Sequence, residues 1–218
     1  SEVAAATLAV EKAVAFFCKM DDALSQSLIK AGIVGEQHRR PPLCEQTIAV
    51  DRIVKEGDTI DVDGASFDVL RTPGHSDCSI SFHQPDEAVL IVSDATGYFL
   101  PDHHWWWPCY FTGYAAYVES MRRLAGLDAE ILCLSHNAVV TGADDVQTYF
   151  AEVIAATEAY HARIVEQAHA GRSVREIAEG LGTEVYEKAP LLPLDFFQKN
   201  CALMVRQSLK HEGVDVGK

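Results

Sequence analysis

Positive charge is scarce in this chain: 18 Lys and Arg stand against 32 Asp and Glu, a formal net charge of −14 over 218 residues. Most faces of such a molecule repel a phosphate backbone or an anionic membrane, so no nucleic acid and no membrane is expected as a partner. No run approaches the about 20 apolar residues that a membrane-spanning helix needs. No basic segment precedes the alanines between Ser1 and Val10, so no signal peptide is read there and the chain is expected to be cytoplasmic. The six cysteines (Cys18, Cys44, Cys78, Cys109, Cys133 and Cys201) contain no Cys-x-x-Cys pair. Each lies among apolar or aromatic neighbours or at a loop edge, and buried free thiols are expected over a zinc knuckle or a disulfide framework. There is no internal repeat, no low-complexity linker and no Gly-x-Ser-x-Gly elbow. The last absence makes a serine- or cysteine-based hydrolase the weakest of the functional readings.

What is present is an ordinary globular composition, 48% apolar, enough for one large domain or one and a half. Residues 4–31 contain neither proline nor glycine and repeat apolar residues at helical spacing, which predicts one long helix, or two joined near Asp21-Asp22, stopping at Gly32. After Pro41-Pro42 the pattern shortens to strand-like runs at 47–54, 59–62 and 66–71, with Asp63-Gly64 as a hairpin signal between the last two. Residues 88–92 and 130–134 are almost wholly apolar, as expected of strands covered on both faces. Tyr114, Tyr117, Val118, Met121 and Leu124 mark an amphipathic helix ending at Gly126. Beyond Gly142 the pattern is helical: a stripe from Val146 to Val165 running on to Gly171, a capping box Ser173-x-x-Glu176, and a last helix after Pro193 to about Leu209.

Three residues of metal-binding type each follow directly on a strand-like run. His75 follows 67–71 through Thr72-Pro73-Gly74, Asp94 follows 89–93, and His136 follows 131–135. Adjacent strands bring such ends to one sheet edge, and imidazole with carboxylate is a ligand set that zinc accepts. Singly, Asp94 reads as a turn cap and either histidine as a loop residue; their threefold recurrence favours a shared site, with the three within about 8 Å of one another.

Thr72-Pro73-Gly74-His75-Ser76, Ser93-Asp94-Ala95 and Leu134-Ser135-His136-Asn137 resemble the third, fourth and fifth motifs of the metallo-β-lactamase superfamily, especially its glyoxalase II-like and general hydrolase branches. The hairpin from Lys55 through Asp63-Gly64 resembles the segment before the third motif, so the resemblance covers Gln46 to Thr141. It implies an α/β fold, the αββα sandwich of two facing sheets with helices outside, here incomplete on its N-terminal side. It implies two divalent ions, typically zinc, with His75 on one, His136 on the other and Asp94 bridging both as the catalytic carboxylate. The implied activity is that of a metal-dependent hydrolase whose metal-bound hydroxide attacks the carbonyl of a small-molecule thioester, lactone or similar substrate. The family's principal motif, His-x-His-x-Asp-His, occurs nowhere in the sequence. Weak or partial metal occupancy is therefore expected, and the alternative is a non-catalytic remnant or interaction module.

Residues 1–142 are read as a partial metallo-β-lactamase-like domain and 143–218 as a C-terminal helical extension packed on it. Because the chain starts at the helix that the missing motif would precede, two outcomes are expected: the 218 residues are a fragment of a longer polypeptide, or apolar surface left by absent strands is covered in a homo-oligomer with incomplete metal sites. In the aromatic stretch 98–114, three consecutive tryptophans cannot all be buried on one face of a strand or helix. A substrate wall beside Asp94, a subunit interface and burial in an irregular loop are the alternatives; Tyr98, His104 and Trp105 are the candidate substrate-binding residues.

Overall fold

The computed structural model describes residues 1–39 and 48–214; Pro41, Pro42, Cys44, Gln46 and Thr47, and the last four residues of the expected extension, lie outside the described residues. Two helices open the chain, α1 (Glu2–Leu8) and α2 (Glu11–Lys30). The break falls at Ala9-Val10, where Val10 is extended, and not at Asp21-Asp22. The aspartates sit inside α2 without disrupting it, Asp22 accepting from Gln26 at 2.7 Å and from Arg39 at 2.9 Å. Gly32, at φ +72°, ends the helical segment as its position suggests.

The strands are β1 (Thr59–Val62), β2 (Ala65–Arg71), β3 (Ile80–Gln84), β4 (Val89–Ile91), β5 (Tyr98–Leu100), β6 (Trp105–Trp107), β7 (Ile131–Cys133) and β8 (Val139–Thr141). Asp63 and Gly64 both take positive φ between β1 and β2, the conformation an Asp-Gly hairpin turn requires. Residues 48–54 form no strand, contrary to the reading of the 47–54 run. Six strands make one sheet in the order β1-β2-β3-β4-β7-β8, and β5 with β6 makes a separate ribbon. The β4–β7 pair is parallel; all other pairs are antiparallel.

Four helices complete the described fold: α3 (Tyr114–Ala125), α4 (Ala143–His169), α5 (Val174–Lys188) and α6 (Leu194–His211). Ser173 and Glu176 form the full capping box at the start of α5. One buried cluster joins Leu90, Val92 and Leu132 of the sheet region to Met121 of α3, Phe150 of α4 and Met204 of α6. Alternate residues point to the other side of the sheet. There Phe67, Phe82, Ile91 and Cys133 stay half-buried, so β4 and β7 are fully covered on one face and only partly on the other, short of the two-faced burial their composition suggests. Cys109 and Cys201 are buried and Cys78 and Cys133 half-buried, these four as free thiols, and Cys18 is buried as well.

The tryptophans lie in β6, and both faces of the ribbon are packed. Trp106 stacks on its cross-strand partner Phe99 with ring centroids 4.8 Å apart, and Trp107 meets Phe197 of α6 at 5.5 Å. A strand thus buries consecutive rings by alternating them between two covering layers.

Candidate metal centre

The turn after β2 is held against α3 by contacts only glycine permits. Gly74 has φ +123°, and a Cβ there would lie 2.3 Å from the Tyr117 Cα. Its carbonyl accepts from the Thr112 and Gly113 amides at 3.0 and 3.3 Å, while the Ser120 hydroxyl donates to the Pro73 carbonyl at 2.8 Å. His75 follows with its Nδ1 2.9 Å from the Cys109 carbonyl. A carbonyl only accepts, so Nδ1 carries the proton and the Nε2 lone pair is left for another partner. That Nε2 lies 3.8 Å from Asp94 Oδ2.

Asp94 stands in the turn that follows β4, where Ser93 takes a positive φ. Its Oδ1 accepts from Ser135 Oγ at 3.1 Å and faces His136 Nε2 at 3.2 Å. Because β4 and β7 are parallel neighbours, residues just beyond their C-terminal ends emerge together, which brings Asp94 to Ser135 and His136. The His136 ring rests on Tyr98 at 5.0 Å, and the Asn137 side chain donates to the Phe99 carbonyl at 2.7 Å, tying this loop to the ribbon.

Burial pushes the His75 imidazole below its ordinary pKa, against the pull of Asp94 and the Cys109 carbonyl. It is neutral at pH 7, the form that ligates metal. Burial opposes the Asp94 charge, but the hydrogen bond from His136, the nearby His75 and the Ser135 hydroxyl outweigh it and hold the carboxyl below its ordinary range. A neutral imidazole and an ionised carboxylate therefore share one site.

All three expected ligands, His75, Asp94 and His136, line one cavity of about 330 Å³. Tyr98 shares its polar end, and Met20, Leu24, Trp107, Leu192 and Phe197 form apolar walls. The other two substrate-binding candidates lie elsewhere: His104 and Trp105 line a separate cavity of about 290 Å³ with Tyr160 and Arg163, and His104 Nε2 is 3.4 Å from Glu152. Sequence reasoning missed Trp107, which β6 points into the Asp94 cavity, and the Cys109 carbonyl, whose role depends on backbone placement and leaves no mark on residue type.

A family model of the metallo-beta-lactamase superfamily matches residues 21–136, more than half of the chain and a segment that contains His75, Asp94 and His136. The chain belongs to the metallo-beta-lactamase superfamily. A hydroxyacylglutathione hydrolase from Hyphomonas neptunium (strain ATCC 15444) is 46% identical over 46 residues, 21% of this chain and 18% of that protein. Another, from Erythrobacter litoralis (strain HTCC2594), is 33% identical over 55 residues, 25% of this chain and 22% of that protein. The match thus spans about a fifth of the curated relatives' length. A metallo-beta-lactamase family protein from Thermus thermophilus superposes with TM-score 0.54 at 21% identity over 88% of this chain and 60% of that one. A beta-lactamase domain protein from Burkholderia ambifaria gives 0.53 at 20% identity over 88% and 56%. The likeness to these two structures is one of fold.

The donors suit a pair of divalent ions in kind and disposition, since a single carboxylate presents one oxygen to each of two imidazoles. In number they fall short. Each ion position receives one imidazole and one carboxylate oxygen from these residues, where zinc sites have three or four protein ligands.

Proposed function

We propose that this chain carries part of the active site of a metal-dependent hydrolase, with His75, Asp94 and His136 as metal ligands and a small-molecule thioester, lactone or similar carbonyl compound as substrate. The observation that carries this reading is the placement of Asp94, with one oxygen toward His75 and the other toward His136, at the wall of a cavity. A divalent ion pair held there would supply Lewis-acid polarisation of the carbonyl and activation of water. The chain's own residues do the rest. The Cys109 carbonyl fixes the His75 tautomer, Ser135 steadies the carboxylate, and the apolar walls exclude water and take up the uncharged part of the substrate. The name of the curated relatives points to thioester hydrolysis, which makes a thioester the first substrate to try.

The count of donors favours a second reading, a non-catalytic remnant or interaction module whose half-site holds metal weakly. Elemental analysis of protein purified without chelator, with hydrolysis of a generic thioester and lactone in added zinc or manganese, separates the two. Bound metal with turnover abolished by Asp94→Asn supports the hydrolase. Absence of both metal and turnover supports the module.

A further inference from the structure

A second group of ligand-type side chains lies away from Asp94, where the C-terminal end of α6 meets the middle of α4. His161 on α4 is only 9% exposed, and its ring lies flat on Tyr114 of α3 with centroids 3.9 Å apart and planes within 14°. His211, the last residue of α6, sets its ring 5.0 Å from the same Tyr114 and 5.5 Å from His161. Glu212 follows at once and brings Oε1 to 3.2 Å from His161 Nε2. One donor atom from each of the three residues falls within 4.8 Å of the others.

We propose that His161, His211 and Glu212 form a binding site for one divalent cation of the zinc class, separate from the Asp94 centre. Two imidazoles and a carboxylate are a donor set that zinc, nickel and copper accept, leaving one position open. Two donors bound at zinc distances to one tetrahedral ion stand about 3.4 Å apart, close to the spacing already present between His161 and Glu212. His211 and Glu212 are exposed, so their side chains close the remaining distance without disturbing the core. His161 supplies a rigid anchor instead. It is packed on Tyr114, and its Nδ1 has no hydrogen-bond partner among the described residues, so the ring is not committed on both sides to other groups. Carbonyls at the end of the 18-residue α6 add partial negative charge, and the chain's net charge of −14 attracts cations. A bound ion would clamp the last turn of α6 onto α4 and stabilise the helical region by mass action.

The test is zinc and nickel titration of the tag-free, chelator-stripped full chain by calorimetry, with thermal melting in parallel. The background is Asp94→Asn/His136→Ala, which removes ligands of the other centre. One equivalent is expected to bind in that background and to raise the melting temperature. His211→Ala and Glu212→Gln, both at exposed positions, should each weaken it by about 10-fold or more and remove the thermal shift. Unchanged affinity in both variants, or no binding in the background, would overturn the site and leave a hydrogen-bonded clasp in its place.

Discussion

Asp94 and His136 are separated by 42 residues and meet at 3.2 Å because their strands, β4 and β7, run side by side in the same direction. Asp94→Asn keeps the shape and removes the charge that two imidazoles face. We expect the substitution to weaken metal binding at this centre by about 100-fold or more, since even outer partners of metal ligands are worth about 10–100-fold. Equilibrium dialysis against zinc checks this, and circular dichroism should show the fold intact.

Gly74→Ala should be among the most damaging single substitutions. The added Cβ has nowhere to go between a backbone at φ +123° and the Tyr117 main chain, so the turn bearing His75 must leave α3. A loss of about 3 kcal/mol or more is expected in denaturant titration, with reduced metal affinity alongside.

The two buried tryptophans are separable by their roles. Trp106→Ala and Trp107→Ala should each cost about 3–5 kcal/mol, as deletion of large core rings does. Only Trp107 lines the Asp94 cavity, so only its substitution is expected to change the affinity for apolar ligands, read by displacement of a fluorescent hydrophobic probe.

Glu56 links the loop before β1 to α3 through Arg123 and also accepts from the Arg71 amide. The Arg123 hydrogen bond holds its carboxyl below the ordinary value of 4.5, despite opposing burial. The folded pKa lies below the unfolded one, so the contribution is complete above about pH 4.5 and disappears as pH falls through the folded value. Both side chains are more than 40% exposed, which limits the effect to about 1 kcal/mol. Glu56→Gln should therefore lower the melting temperature at pH 7, and the difference from the parent should shrink steadily as the pH is taken below about 4.5.

Ser173→Ala removes the side chain that accepts from the Glu176 amide and answers its carboxylate. A loss of about 1 kcal/mol, or about 2–4 °C in melting temperature, is expected.

The helices are legible in the sequence because their apolar stripes and stop signals are local: Gly126, Gly171 and the Ser173 box each stand where a helix ends or begins. The ligand-type residues are legible for a related reason, since each follows a run of apolar strand residues. β3, β5, β6 and β8, 3 to 5 residues long, are not, whereas the equally short β4 and β7 are legible because each lies inside one of the almost wholly apolar runs 88–92 and 130–134. Nothing in an all-tryptophan strand tells Trp105 from Trp107 by phase; the pairing Tyr98↔Trp107 sets which ring faces the cavity. The homo-oligomer expected from the sequence is a question for solution, since the sheet face on which Phe67, Phe82, Ile91 and Cys133 are half-buried also carries the fully buried Val69. Sedimentation of the full chain tests it.

The parallel pairing of β4 with β7 also has a consequence for the order of folding. Hairpins such as β1–β2 close over two residues, whereas β7 reaches β4 only after the chain has passed through the ribbon and α3. Closing so long a loop is slow, because its entropy is lost before any contact rewards it. The carboxylate and the second imidazole therefore come together late, after the helices and hairpins have formed. Rapid-mixing experiments with a metallochromic indicator would then see uptake at the Asp94 centre lag behind the helical signal, making ion capture a clock for the last step of assembly.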